Sequence, residues 1–187
     1  MQKFYLLILF ILLLLCSCTA NNFKEVKEGD IIFQTSKSQQ SKFIAYATHS
    51  LNTHCGIVVY KKGEPYVLEA SNVIKLTPLK KFINKGLLGR YQIYRYTNTP
   101  VKIAYKNYLG IPYDSEFRWT DKRYYCSELV WKIYKKQLNV ELCEPQELSS
   151  YTISGLEKVL NKRGISKTSL FVAPSDLSNS DKLYLIK

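Results

Sequence analysis

The first candidates for a nucleophile and a base near neutral pH are cysteine and histidine side chains. The chain contains five cysteines and two histidines. Cys126 follows two aromatic residues, Tyr124 and Tyr125, and precedes a segment with apolar residues at helical spacing. A cysteine at the N-terminus of that helix lies where backbone N–H groups are unpaired and the helix dipole is positive. Both features favour the reactive thiolate. The alternative is a small buried residue that packs under the helix.

A cysteine nucleophile needs a neighbouring base, and the base needs a group that orients it. Residues 54–70 have the pattern of a β-hairpin with its turn near Gly63. His54 begins the first strand, and Glu69 on the second strand falls within reach of a cross-strand neighbour. A carboxylate there could fix the tautomer of His54 and support its imidazolium. Cys126, His54 and Glu69 are thus candidates for nucleophile, base and orienting group. The alternative for Glu69 is the exposed face of an edge strand.

The other cysteines and the second histidine have weaker claims to chemistry. Cys55 should point to the opposite face of its strand from His54, so we expect it to pack, as we do Cys143. His49 has no supporting motif and is expected at the surface or behind the site. No CxxC motif or Cys/His cluster is present, so the sequence predicts neither a metal nor a cofactor.

The N-terminus has the pattern of an export signal. After Lys3, twelve apolar residues run from Phe4 to Leu15, too few to span a bilayer but suited to a secretory signal. The following Leu15-Cys16-Ser17-Cys18 resembles a lipobox, with Cys18 as the acylated residue. Ordinary secretion with cleavage at another small residue is the alternative. The predicted divisions are a lipoprotein signal peptide (1–17), a tether (18–27) and one domain (28–187).

The formal net charge of +12 falls to +11 when residues 1–17, which contain Lys3, are removed. Such a charge can indicate nucleic-acid binding, but an exported protein rarely meets nucleic acid. We expect a cell-envelope lipoprotein, at the periplasmic or outer surface, anchored to the membrane by its lipid. Anionic lipid headgroups or an anionic wall polymer are better partners for the charge than nucleic acid. A solvated basic surface is an equal alternative.

Along the chain, short strands alternate with short helices, which predicts an α+β fold with a largely antiparallel sheet. Val101 to Leu109 is predicted to be helical and to end at Gly110. No stretch rich in Pro, Gly or Ser divides the chain after the tether.

Several segments together resemble the NlpC/P60 cysteine hydrolases. They are Gly29-Asp30-Ile31-Ile32-Phe33, Thr53-His54-Cys55-Gly56-Ile57-Val58 and Tyr66-Val67-Leu68-Glu69-Ala70. In standard members the cysteine precedes these segments, whereas here it follows, so the order resembles the circularly permuted, papain-like YiiX/YebB branch. Gly110-Ile111-Pro112-Tyr113-Asp114 and Pro174-Ser175-Asp176-Leu177 also match that branch.

The resemblance implies a papain-like fold in which a helix carrying Cys126 packs on an antiparallel sheet carrying His54 and Glu69. It also implies cleavage of an amide or ester through a thioester acyl-enzyme. An oxyanion site would use the Cys126 backbone N–H, with Tyr124 or Tyr125 as a candidate assistant. Aromatic packing is the alternative for both tyrosines.

Three functions fit these residues. The first is a lipid-anchored amidase acting on a peptidoglycan peptide or a related amide. The second uses the same site on a lipid ester or amide, by hydrolysis or acyl transfer, which would suit a basic chain with 15 tyrosines at a membrane surface. The third is a non-catalytic binding lipoprotein on the same fold, which the competent residues at all three positions disfavour.

Overall fold

The structure is a computed structural model that describes Phe23 and residues 25–187. A six-stranded sheet forms its centre. The predicted signal peptide and Cys18 lie outside the described residues. The strands are β1 (Ile31–Gln34), β2 (His54–Lys61), β3 (Glu64–Ala70), β4 (Ile74–Pro78), β5 (Tyr91–Arg95), β6 (Gln146–Glu147), β7 (Leu170–Phe171) and β8 (Tyr184–Leu185). The sheet order is β4-β3-β2-β1-β5-β8, and every neighbouring pair is antiparallel, as predicted. Strands β6 and β7 pair separately.

Among the residues that the structure describes, five short α-helices surround the sheet. They are α1 (Gln39–Thr48), α2 (Leu79–Lys85), α3 (Cys126–Ile133), α4 (Glu157–Lys162) and α5 (Pro174–Ser178). Helix α3 continues into a π-helical turn, Tyr134–Leu138. Single 3₁₀ turns occupy Leu87–Gly89, Tyr105–Tyr108 and Leu148–Ser150. Within the described part of the chain, no helix has both the length and the apolar character needed to cross a membrane.

The hairpin predicted for residues 54–70 is present as β2 and β3. Its two-residue turn, Lys62 and Gly63, has positive φ at both positions (53° and 81°), which matches the right-handed twist of the flanking strands. Alternation along β2 then sends side chains to two cores. Ile57 packs under α3 and Val58 packs toward α2.

A third core lies between α3 and the C-terminal segments, and we call it the C-terminal cluster. Its buried members are Phe117, Tyr125, Leu148, Leu160, Ile165, Phe171 and Ala173. Tyr125 stacks on Phe171 with ring centroids 5.1 Å apart. Tyr125, which precedes Cys126, therefore packs the start of α3 against the C-terminal segment that contains Phe171.

The helix predicted from Val101 to Leu109 is wrong except for one 3₁₀ turn. Val101 N donates to the Glu28 carbonyl at 3.3 Å, and Ile103 N donates to Glu28 Oε1 at 3.0 Å. Ile103 is 2% exposed in the core beneath α3, and residues 101–104 form no helix. Contacts with distant segments therefore override the local pattern.

A buried ion pair holds β1 against β5. Arg95 Nε and Nη2 donate to the two carboxylate oxygens of Asp30 at 2.7 and 2.8 Å, and the residues are 7% and 1% exposed. The bidentate geometry satisfies both charges inside the protein. The Asp of the Gly29-Asp30 motif therefore has a structural partner.

Candidate active site

Cys126 is the first residue of α3 and is 2% exposed. The segment before α5 holds this helix start in place from two sides. Ser127 Oγ donates to the Val172 carbonyl at 2.7 Å, and Val172 N donates to Tyr125 Oη at 3.1 Å. The thiol thus lies at the positive end of a helix whose first turn is fixed by residues 45 or more positions away in the sequence.

His54 and Glu69, which the sequence placed within mutual reach, are in contact. Nε2 of His54 lies 2.7 Å from Oε2 of Glu69. The imidazole also stacks on Phe82 of α2, with ring centroids 5.5 Å apart. The ring is therefore held by a carboxylate at one nitrogen and an aromatic plane on one face, which leaves Nδ1 as the nitrogen available to Cys126.

Glu69 is 2% exposed on an interior strand, so the edge-strand alternative does not describe its environment. Burial alone would raise its pKa. The hydrogen bond and charge of His54, a 2.5 Å hydrogen bond from Thr77 Oγ1 and the charge of Lys85 outweigh burial and lower the pKa to about 2. The carboxylate is therefore ionised at neutral pH and can support an imidazolium.

Gly56 stands on the face of β2 shared with His54. A Cβ at this position would lie 2.5 Å from a Val67 methyl and 2.6 Å from the Leu68 carbonyl oxygen. Such distances require the two strands to move apart. Glycine is therefore needed here so that β3 can approach β2 closely enough for Glu69 to reach His54.

The electrostatics favour a charged Cys126–His54 pair. Burial alone would lower the pKa of His54, but hydrogen bonds to Cys126 and Glu69 raise it to about 10. The pKa of Cys126 is held well below its usual range, chiefly by a hydrogen bond from Cys55 and then by His54, against the effect of burial. A thiolate beside an imidazolium is the activated form of a cysteine nucleophile.

Cys55 is fully buried in the core between the sheet and α3, on the opposite face of β2 from His54 as expected. Burial raises the pKa of its thiol well above the usual range, so Cys55 stays a neutral S–H that can donate to the Cys126 sulfur. Sequence reasoning treated Cys55 as packing and assigned it no influence on Cys126. Its position next to His54 carried no signal for such an influence, which depends on where α3 crosses β2.

A solvent-connected cleft with about 980 Å³ of empty space opens above Cys126 and His54. The tyrosine that lines it is Tyr113, from the Gly110 to Asp114 motif, and Gln40 Nε2 donates to Tyr113 Oη at 2.9 Å. Tyr124 and Tyr125, the tyrosines named from the sequence, pack instead. Tyr124 contacts Tyr108, and Tyr125 lies in the C-terminal cluster. The motif that contains Tyr113 was the available signal for it.

The structure separates His49 and Cys143 from this cleft. His49 ends α1 at the surface, where its Nε2 lies 2.8 Å from Thr152 Oγ1. Cys143 is partly buried against the core, and burial raises the pKa of its thiol to about 12. Cys55, Cys126 and Cys143 are all free thiols, and of the three Cys126 alone has a lowered pKa.

The family of the chain follows from its similarity to known protein sequences. The sequence model of the permuted papain-like amidase enzymes, YaeF/YiiX (C92) family, matches residues 25–187. The chain belongs to this family. The permuted papain-like relationship predicted from the segment order is therefore confirmed, and the family description supports amide hydrolysis as the class of reaction.

Two relatives give the extent of the similarity within the permuted papain-like amidases. The uncharacterized protein YiiX of Escherichia coli K12 is 44% identical over 133 residues, covering 67% of this chain and 66%, just under two thirds, of that protein. A crystal structure of YiiX from Escherichia coli O157:H7 superposes with a TM-score of 0.80 at 37% identity. The superposition covers 86% of this chain and 96% of the YiiX chain.

The YiiX of strain O157:H7 is described as a metalloprotein. In the present chain, among Phe23 and residues 25–187, no three His, Cys, Asp or Glu side chains are grouped as metal ligands. Near Cys126, Nε2 of His54 and both oxygens of Glu69 already have partners within the protein. The described side chains thus do not form a donor set for a metal.

Proposed function

We propose that the protein is an exported, lipid-anchored cysteine hydrolase that cleaves an amide bond through a thioester acyl-enzyme. One observation carries the proposal. Cys126 at the start of α3 meets His54, whose other ring nitrogen lies 2.7 Å from the buried carboxylate of Glu69. Cys126, His54 and Glu69 all line one cleft open to solvent, which supports their proposed roles as nucleophile, base and orienting group.

The chemistry follows from the charge states of the three side chains. The Cys126 thiolate attacks the carbonyl carbon, and the electron pair of the C=O bond moves to oxygen. As the C–N bond breaks, the His54 imidazolium gives its proton to the leaving amine, which leaves a thioester on Cys126. A water molecule then attacks the thioester while neutral His54 accepts its proton. The acid is released, and the thiolate–imidazolium pair is restored. Glu69 stays ionised throughout and stabilises the imidazolium.

Tyr113 is the proposed donor to the developing oxyanion, together with the Cys126 backbone N–H. Gln40 donates to Tyr113 Oη, so the hydroxyl proton is not used in that hydrogen bond. It is free to point into the cleft that Tyr113 and Cys126 both line. Donors aimed at the position where negative charge develops stabilise the transition state.

The proposal is tested by trapping the acyl-enzyme. The full chain, purified in a mild detergent, would be incubated with peptidoglycan peptides and with simple acyl amides, then denatured in acid and analysed by peptide mass spectrometry. We expect an acyl adduct on Cys126 that is sensitive to hydroxylamine, together with released amine. Cys143→Ala should keep both signals, and Cys126→Ala should lose both. An adduct at another residue, or amine release by Cys126→Ala, would contradict the proposal.

A further inference from the structure

A second space in the molecule lies beside the catalytic cleft and shares two lining residues with it. It lies between α1 and the C-terminal cluster and contains about 570 Å³ of empty space, part of it open to solvent. Gln40 and Ile44 of α1 line both this space and the cleft of Cys126. Phe117, Leu160 and Phe171 form part of its opposite wall. We call it the apolar groove.

The lining of the apolar groove restricts what can occupy it. Almost all the surface that the groove presents is apolar, and the space is narrow. A peptide would bring backbone N–H and C=O groups that need hydrogen-bond partners, and this lining does not supply them. An apolar cavity also holds water poorly. An unbranched hydrocarbon chain has no polar groups to satisfy and is thin enough to enter.

We infer that the apolar groove binds the aliphatic acyl chain of the substrate, so that the scissile amide is an N-acyl amide with a hydrocarbon tail. The inference rests on the proposed function, because the carbonyl end of the chain must reach Cys126. Gln40 stands at the junction, where it lines both spaces and holds Tyr113. The tail would extend along Ile44 and Ala47 of α1, while the amine portion occupies the polar cleft.

The first experiment measures kcat/KM for N-acyl p-nitroanilides of increasing chain length, using the full chain in washed membranes. Membranes containing Cys126→Ala give the background. Each CH₂ removed from water should raise kcat/KM by about fourfold, which corresponds to about 0.8 kcal/mol. Equal kcat/KM along the series would overturn the groove assignment while leaving amide hydrolysis in place.

A dependence of kcat/KM on chain length could come from binding in the groove or from partitioning of the substrate into the membrane. A pair of matched variants distinguishes these two causes. Ala47 lines the groove, whereas Ala45 on the same helix does not, although both residues are partly buried. Ala47→Trp should fill the groove and flatten the chain-length dependence. Ala45→Trp should keep the wild-type dependence. If both variants kept it, the assignment would be wrong.

A binding readout that does not depend on turnover uses a dodecanoyl amide with a diazirine near the chain end. After irradiation of membranes carrying Cys126→Ala, label should appear on peptides from residues 153–165, which form one wall of the groove. Ala47→Trp in the same background should lose that label. Label at this wall without cleavage of any amide would support the chain site and count against the proposed hydrolysis. The absence of label on these peptides would overturn the acyl-chain site. That result is expected if part of this chain or another molecule fills the groove.

Discussion

His54 and Glu69 meet diagonally across two adjacent strands, with Nε2 of the ring 2.7 Å from Oε2 of the carboxylate. In the β2–β3 register Ile57 opposes Leu68, so Glu69 lies opposite Gly56 and reaches past it to His54. The absence of a side chain at Gly56 and the long reach of a glutamate make this diagonal contact possible. The charge of Glu69 is thereby placed behind the ring, away from the nitrogen that faces Cys126.

Glu69→Gln should slow catalysis without abolishing it, because the amide keeps the shape but removes the charge that supports the imidazolium. We expect kcat to fall on the order of 10²-fold or more. The His54 pKa, held at about 10 partly by this carboxylate, should fall, so the basic limb of the pH–rate profile should move to lower pH. Thr77→Val, which removes one hydrogen bond to Glu69 but keeps its charge, should lower kcat less than Glu69→Gln and should not move the basic limb to lower pH. An unchanged profile for Glu69→Gln would argue against an orienting role.

The alkylation rate of Cys126 should depend on pH differently from that of Cys143. Because its lowered pKa keeps Cys126 ionised below the usual thiol range, its reaction with iodoacetamide should stay fast at pH 6. Cys143, with a pKa of about 12, should react slowly and become faster at high pH. His54→Ala should slow Cys126 at pH 6 by removing the cation. Equal rates for the two thiols at pH 6 would contradict an activated Cys126.

Tyr113→Phe should lower kcat by about 10²–10³-fold with little change in KM, as expected for loss of one oxyanion donor. Tyr125→Phe is the matched control, since its hydroxyl accepts from Val172 N and lies outside the cleft. That change should reduce the free energy of unfolding by about 1 kcal/mol and leave kcat of the folded protein unaltered. If Tyr125→Phe lowered kcat and Tyr113→Phe did not, Tyr125 would be the oxyanion donor instead.

Arg95→Leu should destabilise the fold strongly, because it leaves Asp30 buried without its partner. The expected loss in free energy of unfolding is about 3–5 kcal/mol, measured by urea denaturation. Arg118→Gln is the control, since its ion pair with Glu116 is exposed, and it should cost less than about 1 kcal/mol. Similar small losses for both variants would show that the Asp30–Arg95 pair contributes little.

Cys18→Ala should release the protein from membranes, because the proposed anchor is an acyl group on this thiol. The measurement is the share of protein that sediments with membranes after a high-salt wash, which removes proteins held by basic charge alone. Cys16→Ala is the matched control and should remain in the pellet. If Cys18→Ala were retained like wild type, lipidation at Cys18 would be wrong.

The sequence alone indicated the antiparallel hairpin of residues 54–70, the helix beginning at Cys126 and the three candidate residues Cys126, His54 and Glu69. These depend on patterns that are local in the chain, such as alternation, turn residues and helical spacing. The segment order, with the histidine before the cysteine, also pointed to the permuted papain-like family that the comparison shows. The helix predicted from Val101 to Leu109 is wrong for residues 101–104, where burial of Ile103 and hydrogen bonds to Glu28 hold the backbone against distant segments.

Tertiary structure decided the features that depend on which distant segments meet. Tyr113 lines the cleft, whereas Tyr124 and Tyr125 pack against other aromatic rings. Cys55 and Cys126 share one core because α3 packs across β2. The apolar groove forms where α1 faces the C-terminal cluster, with walls about 70 or more positions apart in sequence. No local pattern records such encounters, because they are set by how the hydrophobic faces of the elements pack together.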